Sequence, residues 1–160
     1  MAEDNISYHV DRESPDAKAA RQVSKQFVQL CDHGDCESIH YLAAVLLHTE
    51  HGLNLLSKNA LFRECDEKER FHFIGERLML AKPRGDFEMQ RPAETSEWLS
   101  VLNRAAEISR QHGYAISGHH GLLAALEVEK EENDRFLENL EVERVAAIVE
   151  TVTLISSEAG

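Results

Sequence analysis

The sequence predicts an all-α protein built from two related halves of four helices each. Apolar residues recur at helical spacing along most of the 160 residues, and no stretch keeps the period-two alternation of a strand beside turn signals. The segment 33–46 (HGDCESIHYLAAVL) is similar to the segment 113–126 (GYAISGHHGLLAAL): each has a glycine, a turn, a histidine and a helix rich in leucine and alanine. This repetition indicates that one supersecondary unit was built twice.

The first half is predicted at 14–80, after a flexible start at 1–13. Ser14, Pro15 and Asp16 have the features of a helix beginning, because they supply a serine cap, a proline in the first turn and an acidic residue. Apolar side chains then recur every three or four residues and are expected to face the core. In the first helix these are Ala20, Val23, Phe27 and Leu30, and in the last they are Phe71, Ile74 and Leu78. The helices are expected at about 14–32, 38–51 and 66–80, with a short fourth in the apolar segment 53–61.

Residues 81–94 are predicted to link the halves, since two prolines, a glycine and mixed charges interrupt the helical pattern there. The second half, 95–156, repeats the order of the first. Its helices are expected at 95–113, from His119, from Asn133 as a cap and from Val142, with a solvated acidic turn at 127–132.

The charge balance excludes several classes of partner. Asp and Glu number 29 against 17 Lys and Arg, so the net charge is -12, and the chain lacks the basic stripe that binds nucleic acid or an anionic membrane. No apolar stretch is long enough to span a bilayer, and the start of the chain lacks the pattern of a signal peptide. Three irregularly spaced cysteines argue against a disulfide framework. We therefore expect a cytoplasmic protein with reduced thiols.

The sequence also lacks the motifs of common catalytic and cofactor sites. It has no Gly-x4-Gly-Lys-Ser/Thr loop for nucleotide phosphates, no Gly-x-Ser-x-Gly nucleophile elbow and no dinucleotide-binding loop. We therefore expect no enzyme activity, no cofactor and no bound nucleotide.

Four residues mark the repeated unit. Gly34 and Gly113 end the helices that precede the two turns, and His40 and His120 begin the two packing helices. Two roles are open for these histidines: a ligand-contacting pair across the halves, or a hydrogen bond at the helix terminus that holds the preceding turn. The second role is favoured, because an imidazole bonds on two sides and often serves structure.

A metal-binding or sensory helical protein is the alternative interpretation, because the chain has nine histidines. The spacings fit neither the Cys-x2-Cys pattern of zinc sites nor the His-Glu-x2-His motif, so the sequence predicts no metal site. The candidate ligands for this alternative are His40, His48 and His51 on one predicted helix, with Cys31, His33 and Cys36 before it.

The segment 103–127 (NRAAEISRQHGYAISGHHGLLAALE) resembles the amino-terminal domain of Clp ATPases, which consists of a double Clp repeat. The segment 26–52 (QFVQLCDHGDCESIHYLAAVLLHTEHG) is similar to the same motif more loosely. The resemblance implies an eight-helix domain with pseudo-twofold symmetry, here as a stand-alone module without the ATPase rings. In some members of the family a glutamate of the motif helps to bind arginine-phosphate tags. Ile39 and His119 stand in its two places, so tag recognition is not expected.

The resemblance further implies a module that binds a Clp ATPase or protease subunit, an adaptor or an unfolded client protein. Apolar residues beyond the needs of the core are candidates for this surface, in a groove between the halves. They are Phe62, Phe87, Met89 and Tyr114, with His119 facing solvent nearby. The alternative is that these side chains only seal the linker and the helix ends. Acidic flanks favour a basic partner.

Overall fold

The computed structural model describes residues 12–31, 33, 35–82, 93–111 and 115–159, and most of them are helical. The predicted all-α class is confirmed. The elements in chain order are α1 (Pro15–Leu30), β1 (Asp35–Cys36), α2 (Ser38–His48), α3 (Glu50–Leu56), α4 (Ala60–Arg63), α5 (Glu67–Ala81), β2 (Ala93–Glu94), α6 (Ser96–Arg110), α7 (Gly118–Leu126), α8 (Glu131–Asn139) and α9 (Arg144–Ala159).

The beginnings of several helices follow local sequence signals. Ser14 caps α1, and Thr95 caps α6 by accepting the Trp98 N–H at 3.1 Å. Asp66 and Glu69 form a capping box at α5, in which each side chain accepts the backbone N–H of the other at 2.8 and 2.9 Å. Such contacts lie within one turn, so the sequence alone shows them.

The helix predicted at 38–51 is two helices, because Thr49 interrupts it. The Thr49 backbone is extended (φ -121°, ψ 149°), and its hydroxyl accepts the Gly52 N–H at 3.0 Å as the cap of α3. The apolar segment predicted at 53–61 contributes to both α3 and the short α4. The described part of the first half therefore has five helices where the sequence predicted four.

The acidic turn predicted at 127–132 is shorter than expected, because α8 begins at Glu131. Asn133 is consequently not the cap of this helix. It is buried within α8, and its Nδ2 donates to Ser38 Oγ of the first half at 3.2 Å. An asparagine that caps a helix and one that faces a neighbouring helix look alike in sequence, which explains the wrong prediction.

Short backbone pairs connect the two halves reciprocally. The segment before α6 pairs with the turn before α2, since β2 lies parallel to β1 with Glu94 opposite Cys36. The segment before α1 pairs with the turn before α7, through a bridge between Glu13 and Ile116. The sequence predicted no sheet, and these pairs correct that prediction. Pairs of one or two residues leave no alternation to recognise.

The reciprocity extends to the helix beginnings. Asp16 of α1 accepts the Gly118 N–H of α7 at 3.1 Å, and Glu97 of α6 accepts the Ser38 N–H of α2 at 2.9 Å. Each half thus supplies a carboxylate to the packing helix of the other, at the end where the helix dipole favours negative charge. Equivalent elements exchange equivalent contacts, as a pseudo-twofold arrangement requires.

A single core crosses the boundary between the halves. Tyr41 of α2 meets Trp98 of α6 edge to face, with ring centroids 5.5 Å apart, and both side chains are fully buried. Gly121 of α7 lies against Tyr41, where an added Cβ would overlap the tyrosine hydroxyl. The two halves therefore depend on each other for burial.

The borders of the predicted segments are only partly described. Residues 1–11 of the predicted flexible start and 83–92 of the predicted linker lie outside the described residues. Glu13, at the border of the start, accepts a hydrogen bond from Arg21 Nε at 2.7 Å. Within the described ranges, no helix combines the length and the apolar character needed to cross a membrane.

Candidate functional site

Both packing helices begin with a histidine in the same structural role. The Glu37 N–H donates to His40 Nδ1 at 2.9 Å in α2, and the Ser117 N–H donates to His120 Nδ1 at 3.0 Å in α7. A capping box ordinarily uses glutamate or glutamine at this third helical position. Here the imidazole takes that place in each half. Gly34 and Gly113, the other two residues that mark the repeat, lie outside the described residues.

His40 continues into a chain of hydrogen bonds that reaches α5. Its Nδ1 accepts from Glu37, so Nε2 carries the proton and donates to His33 Nδ1 at 2.8 Å. His33 Nε2 then donates to the Lys82 carbonyl at 2.7 Å. Both imidazoles are neutral in this arrangement, and burial lowers the pKa of His33 and lowers that of His40 to about 3. The chain joins the end of α1, the start of α2 and the end of α5.

A half-buried cluster of charges lies beside this chain. Lys130 Nζ lies 2.8 Å from Glu97 and 2.9 Å from Glu132, while Lys82 Nζ lies 2.6 Å from Glu37 and 3.2 Å from Glu132. Burial by itself raises the pKa of Glu97 and Glu132. Hydrogen bonds from Lys130 and Ser38 to Glu97, and from Lys130 and Lys82 to Glu132, outweigh burial and hold both pKa values below the usual value. The charges thus satisfy one another and serve to join the halves.

A groove with both apolar and charged side chains in its walls lies in the first half, and we call it the first-repeat groove. Its volume is about 630 Å³, and α1, the α2–α3 junction and the start of α5 form its walls. Phe71 at its base stacks on the buried Phe27, with ring centroids 4.5 Å apart. The lining residues are Val23, Gln26, Leu47, His48, Thr49, Glu50, Leu53, Glu67, Arg70 and Phe71.

The second half has a groove in the equivalent place, but an ion pair occupies it. Alignment of the caps Ser14 and Thr95 places Val23 opposite Arg104, and alignment of His40 and His120 places Leu47 opposite Glu127. Arg104 Nε lies 2.8 Å from Glu127 Oε1, and the opening there measures about 200 Å³. The duplication has therefore kept the helices, while the groove of the first half is larger and the opening of the second half has an ion pair in its wall.

Comparison with known proteins identifies the architecture. No known family profile and no curated protein matches the sequence. The N-terminal domain of ClpD from Arabidopsis thaliana, a caseinolytic protease associated chaperone, matches with a TM-score of 0.68 and 13% identity over 92% of this chain and 99% of that one. The Hsp104 N-terminal domain from Candida albicans matches with a TM-score of 0.64 and 17% identity over 90% and 91%. The chain has the fold of a Clp N-terminal domain.

Of the five residues expected to form a partner surface in this Clp N-domain fold, the structure describes Phe62 and His119. Phe62 is 1% exposed and packs edge to face on Phe73, with ring centroids 5.6 Å apart, so it belongs to the core. Its predicted place on a binding surface is wrong, because α4 turns it inward. His119 is half-buried beside His51, with ring centroids 6.4 Å apart. Phe87, Met89 and Tyr114 lie outside the described residues.

The sequence does not identify the groove residues as a surface: it predicts Val23 and Phe71 as core residues and names His48 as a candidate metal ligand. Val23 follows the same spacing as Phe27, yet it is half-buried at the wall of the groove while Phe27 is fully buried. Periodicity shows which side of a helix is apolar but not which part of that side a neighbouring helix covers. The comparison of Val23 with Arg104 in the repeat is the one sequence signal that points to the groove.

The Clp N-domain fold brings together two of the candidate metal ligands, since His40 bonds to His33 at 2.8 Å. The other histidines of the set lie elsewhere: His48 lines the groove and His51 lies beside His119. Cys31 lies at the end of α1, with its Sγ 3.7 Å from the Gly75 carbonyl. Among the described residues, no group of three or more His, Cys, Asp or Glu side chains is arranged to hold a metal ion.

Proposed function

We propose that this protein is a non-catalytic protein-binding module that works beside a Clp-type machine in the cytoplasm, and that the first-repeat groove is its docking site. The partner is a Clp ATPase or protease subunit, an adaptor or an unfolded client. The observation that carries the proposal is the larger groove in one half of a Clp N-domain fold, with Val23, Leu47 and Leu53 in its walls, where the equivalent place of the other half holds an ion pair.

The size and lining of the groove suit a short polypeptide segment. Its volume of about 630 Å³ lies within the range of ligand-binding pockets, so the groove has room for several apolar side chains of a peptide. The half-buried Val23, Leu47 and Leu53 lose further contact with water when such a segment binds, at roughly 25 cal/mol for each Å² of apolar surface. Burial of this kind drives association without any chemical step.

The rim of the groove determines which segments approach. Glu50 and Glu67 are exposed, and neither forms an ion pair with another described residue. With a net charge of -12 behind them, these carboxylates favour segments that carry Lys or Arg beside their apolar residues. Free thiols at Cys31, Cys36 and Cys65 are compatible with a reducing compartment.

The test transfers the ion pair of the second half into the first. The double variant Val23→Arg, Leu47→Glu places in the groove the side chains that stand at the equivalent positions 104 and 127. The probe is fluorescently labelled, reduced and carboxymethylated lactalbumin, which stays unfolded, and binding is followed by fluorescence anisotropy. We expect the Kd to rise by about tenfold or more, because the apolar walls are lost.

The matched control makes the reverse exchange, Arg104→Val, Glu127→Leu, in the second half. It carries the same kinds of side chain and should bind the probe at least as tightly as the natural protein. Thermal unfolding of both variants establishes that they remain folded. Equal affinity of the first double variant and the natural protein would remove the groove as the docking site.

A further inference from the structure

One cation in the lining of the first-repeat groove forms no direct ion pair among the described residues. Arg70 lies in the first turns of α5, its guanidinium stands over the Phe62 ring at 5.4 Å from the centroid, and it forms no ion pair with any described residue. Its Nε atom is buried and has no hydrogen-bond partner among those residues. Arg21 and Arg104, by contrast, each lie close to a carboxylate, at 2.7 and 2.8 Å. A guanidinium with unmet hydrogen-bonding capacity beside an apolar groove is a binding group for an anion.

We propose that Arg70 selects a carboxylate on the docked segment, so that the groove recognises an apolar stretch containing an acidic side chain. This inference rests on the proposed function, since it names the chemistry that the docking site prefers. The carboxylate would bind the outer nitrogens of the guanidinium, because Nε is already enclosed by protein. Phe62 supports this arrangement from below by holding the guanidinium plane in place.

Glu50 and Glu67 also lie at the groove, and they oppose an incoming carboxylate. Both are exposed, so water and salt screen their charges, whereas Arg70 is half-buried and acts in a lower dielectric. Glu67 precedes Arg70 by one helical turn on the same face of α5. A segment with a basic residue within a few positions of its acidic one satisfies both groups.

His48 is the remaining titratable group of the lining. Burial lowers its pKa, so it is neutral at pH 7 and neither competes with Arg70 for the carboxylate nor adds a second cation. Thr49 is also unavailable, since its hydroxyl already donates to the Val45 carbonyl at 2.6 Å and accepts from Gly52. Arg70 is therefore the group in the described lining that distinguishes a carboxylate from an amide.

The experiment selects ligands from a bead library of random decapeptides that are acetylated and amide-capped, so that side chains supply the only carboxylates. Peptides that bind the natural protein are expected to combine apolar residues with one Asp or Glu. Replacement of that residue by Asn or Gln should weaken binding by about tenfold, as the loss of a charge-assisted hydrogen bond implies. The variant Arg70→Gln should bind the acidic and the amide peptides equally.

A charge reversal and a matched control complete the test. The variant Arg70→Glu should bind the peptide in which Lys replaces the acidic residue better than it binds the parent. Arg77→Gln is the control, because Arg77 lies on the same helix, stands over the Phe73 ring at 3.6 Å and is not part of the groove. This control should keep the natural preference. Arg70→Lys retains the charge and should keep a reduced preference for the acidic peptide over the amide peptide. This result would show that the loss of preference in Arg70→Gln does not come from misfolding.

The outcomes separate this inference from the proposed function. Selected peptides without acidic residues, bound equally by the natural protein and by Arg70→Gln but not by the Val23→Arg, Leu47→Glu variant, would overturn the role of Arg70 and leave the docking groove in place. A natural protein that selects no peptide would overturn both.

Discussion

Replacement of His40 by glutamine should remove part of the acid sensitivity of this protein. The His40 side chain is fully buried, and burial, with Lys82 and Lys130 nearby, lowers its pKa from 6.5 to about 3. The folded protein therefore binds fewer protons than the unfolded chain below pH 6.5, and its stability falls as the pH falls. Linkage over the interval from pH 7.5 to 5 gives a loss of about 2 kcal/mol from this one residue.

Glutamine suits the position because it is an ordinary capping-box residue. Its amide oxygen accepts the Glu37 N–H, and its amide group donates to His33, so the hydrogen bonds of the imidazole are reproduced without a titrating group. At pH 7.5 we expect the free energy of unfolding of His40→Gln to lie within about 1 kcal/mol of the natural value. The variant His120→Gln tests the same capping chemistry in the second half at that pH.

Urea unfolding at the two pH values measures the effect. The natural protein should lose about 2 kcal/mol more than His40→Gln between pH 7.5 and pH 5, which is a difference of about 1 M in the urea midpoints at an m-value near 2 kcal/mol per M. Burial lowers the pKa of His33, His48 and His51 as well, and these groups titrate in both proteins. Glu97 and Glu132, with lowered pKa values, lose their contribution only below about pH 4.5. Identical losses in both proteins would refute the buried, neutral state of His40.

Two further substitutions test how the halves are joined. Glu97→Ala removes the acceptor of the Ser38 N–H and a partner of Lys130, so it should lower the free energy of unfolding in urea by about 2 kcal/mol. The control is Glu107→Ala, an exposed carboxylate on the same helix, which should change the free energy of unfolding by less than about 0.5 kcal/mol. Equal effects would contradict the capping role of Glu97. Gly121→Ala should destabilise the protein by about 1–3 kcal/mol in thermal unfolding, because the added methyl group displaces the buried Tyr41. An unchanged melting temperature would show that α7 and α2 are packed less tightly than the structure indicates.

The local sequence was sufficient for the helices that carry their own caps. Ser14, Asp66 and Thr95 act on N–H groups within the next three residues, so their effect does not depend on the rest of the fold. The sequence failed at Thr49 and Asn133. Asn133 reaches Ser38, 95 positions away, which the neighbouring residues do not reveal. Thr49 makes only local contacts, but it lies inside an apolar run that has the spacing of one continuous helix.

The candidate site was less accessible to prediction than the fold. Phe62 was expected at a surface and lies in the core, while Val23 was expected in the core and lines the groove. An apolar side chain has the same sequence signature in both places, and only the packing of distant helices decides how much of it remains exposed. The contrast between Val23 and Arg104 became meaningful once the two halves were aligned in space.

The sequence by itself determined the helical class, the duplication and the histidines at the two packing helices, because these depend on spacing and on contacts within one turn. Only the tertiary structure decided that each half caps the other through Asp16 and Glu97, that His33 reaches the Lys82 carbonyl, and that the first-repeat groove is larger than its counterpart. These features bring together residues far apart in the chain. Their geometry follows from how the helices pack, which no local pattern records.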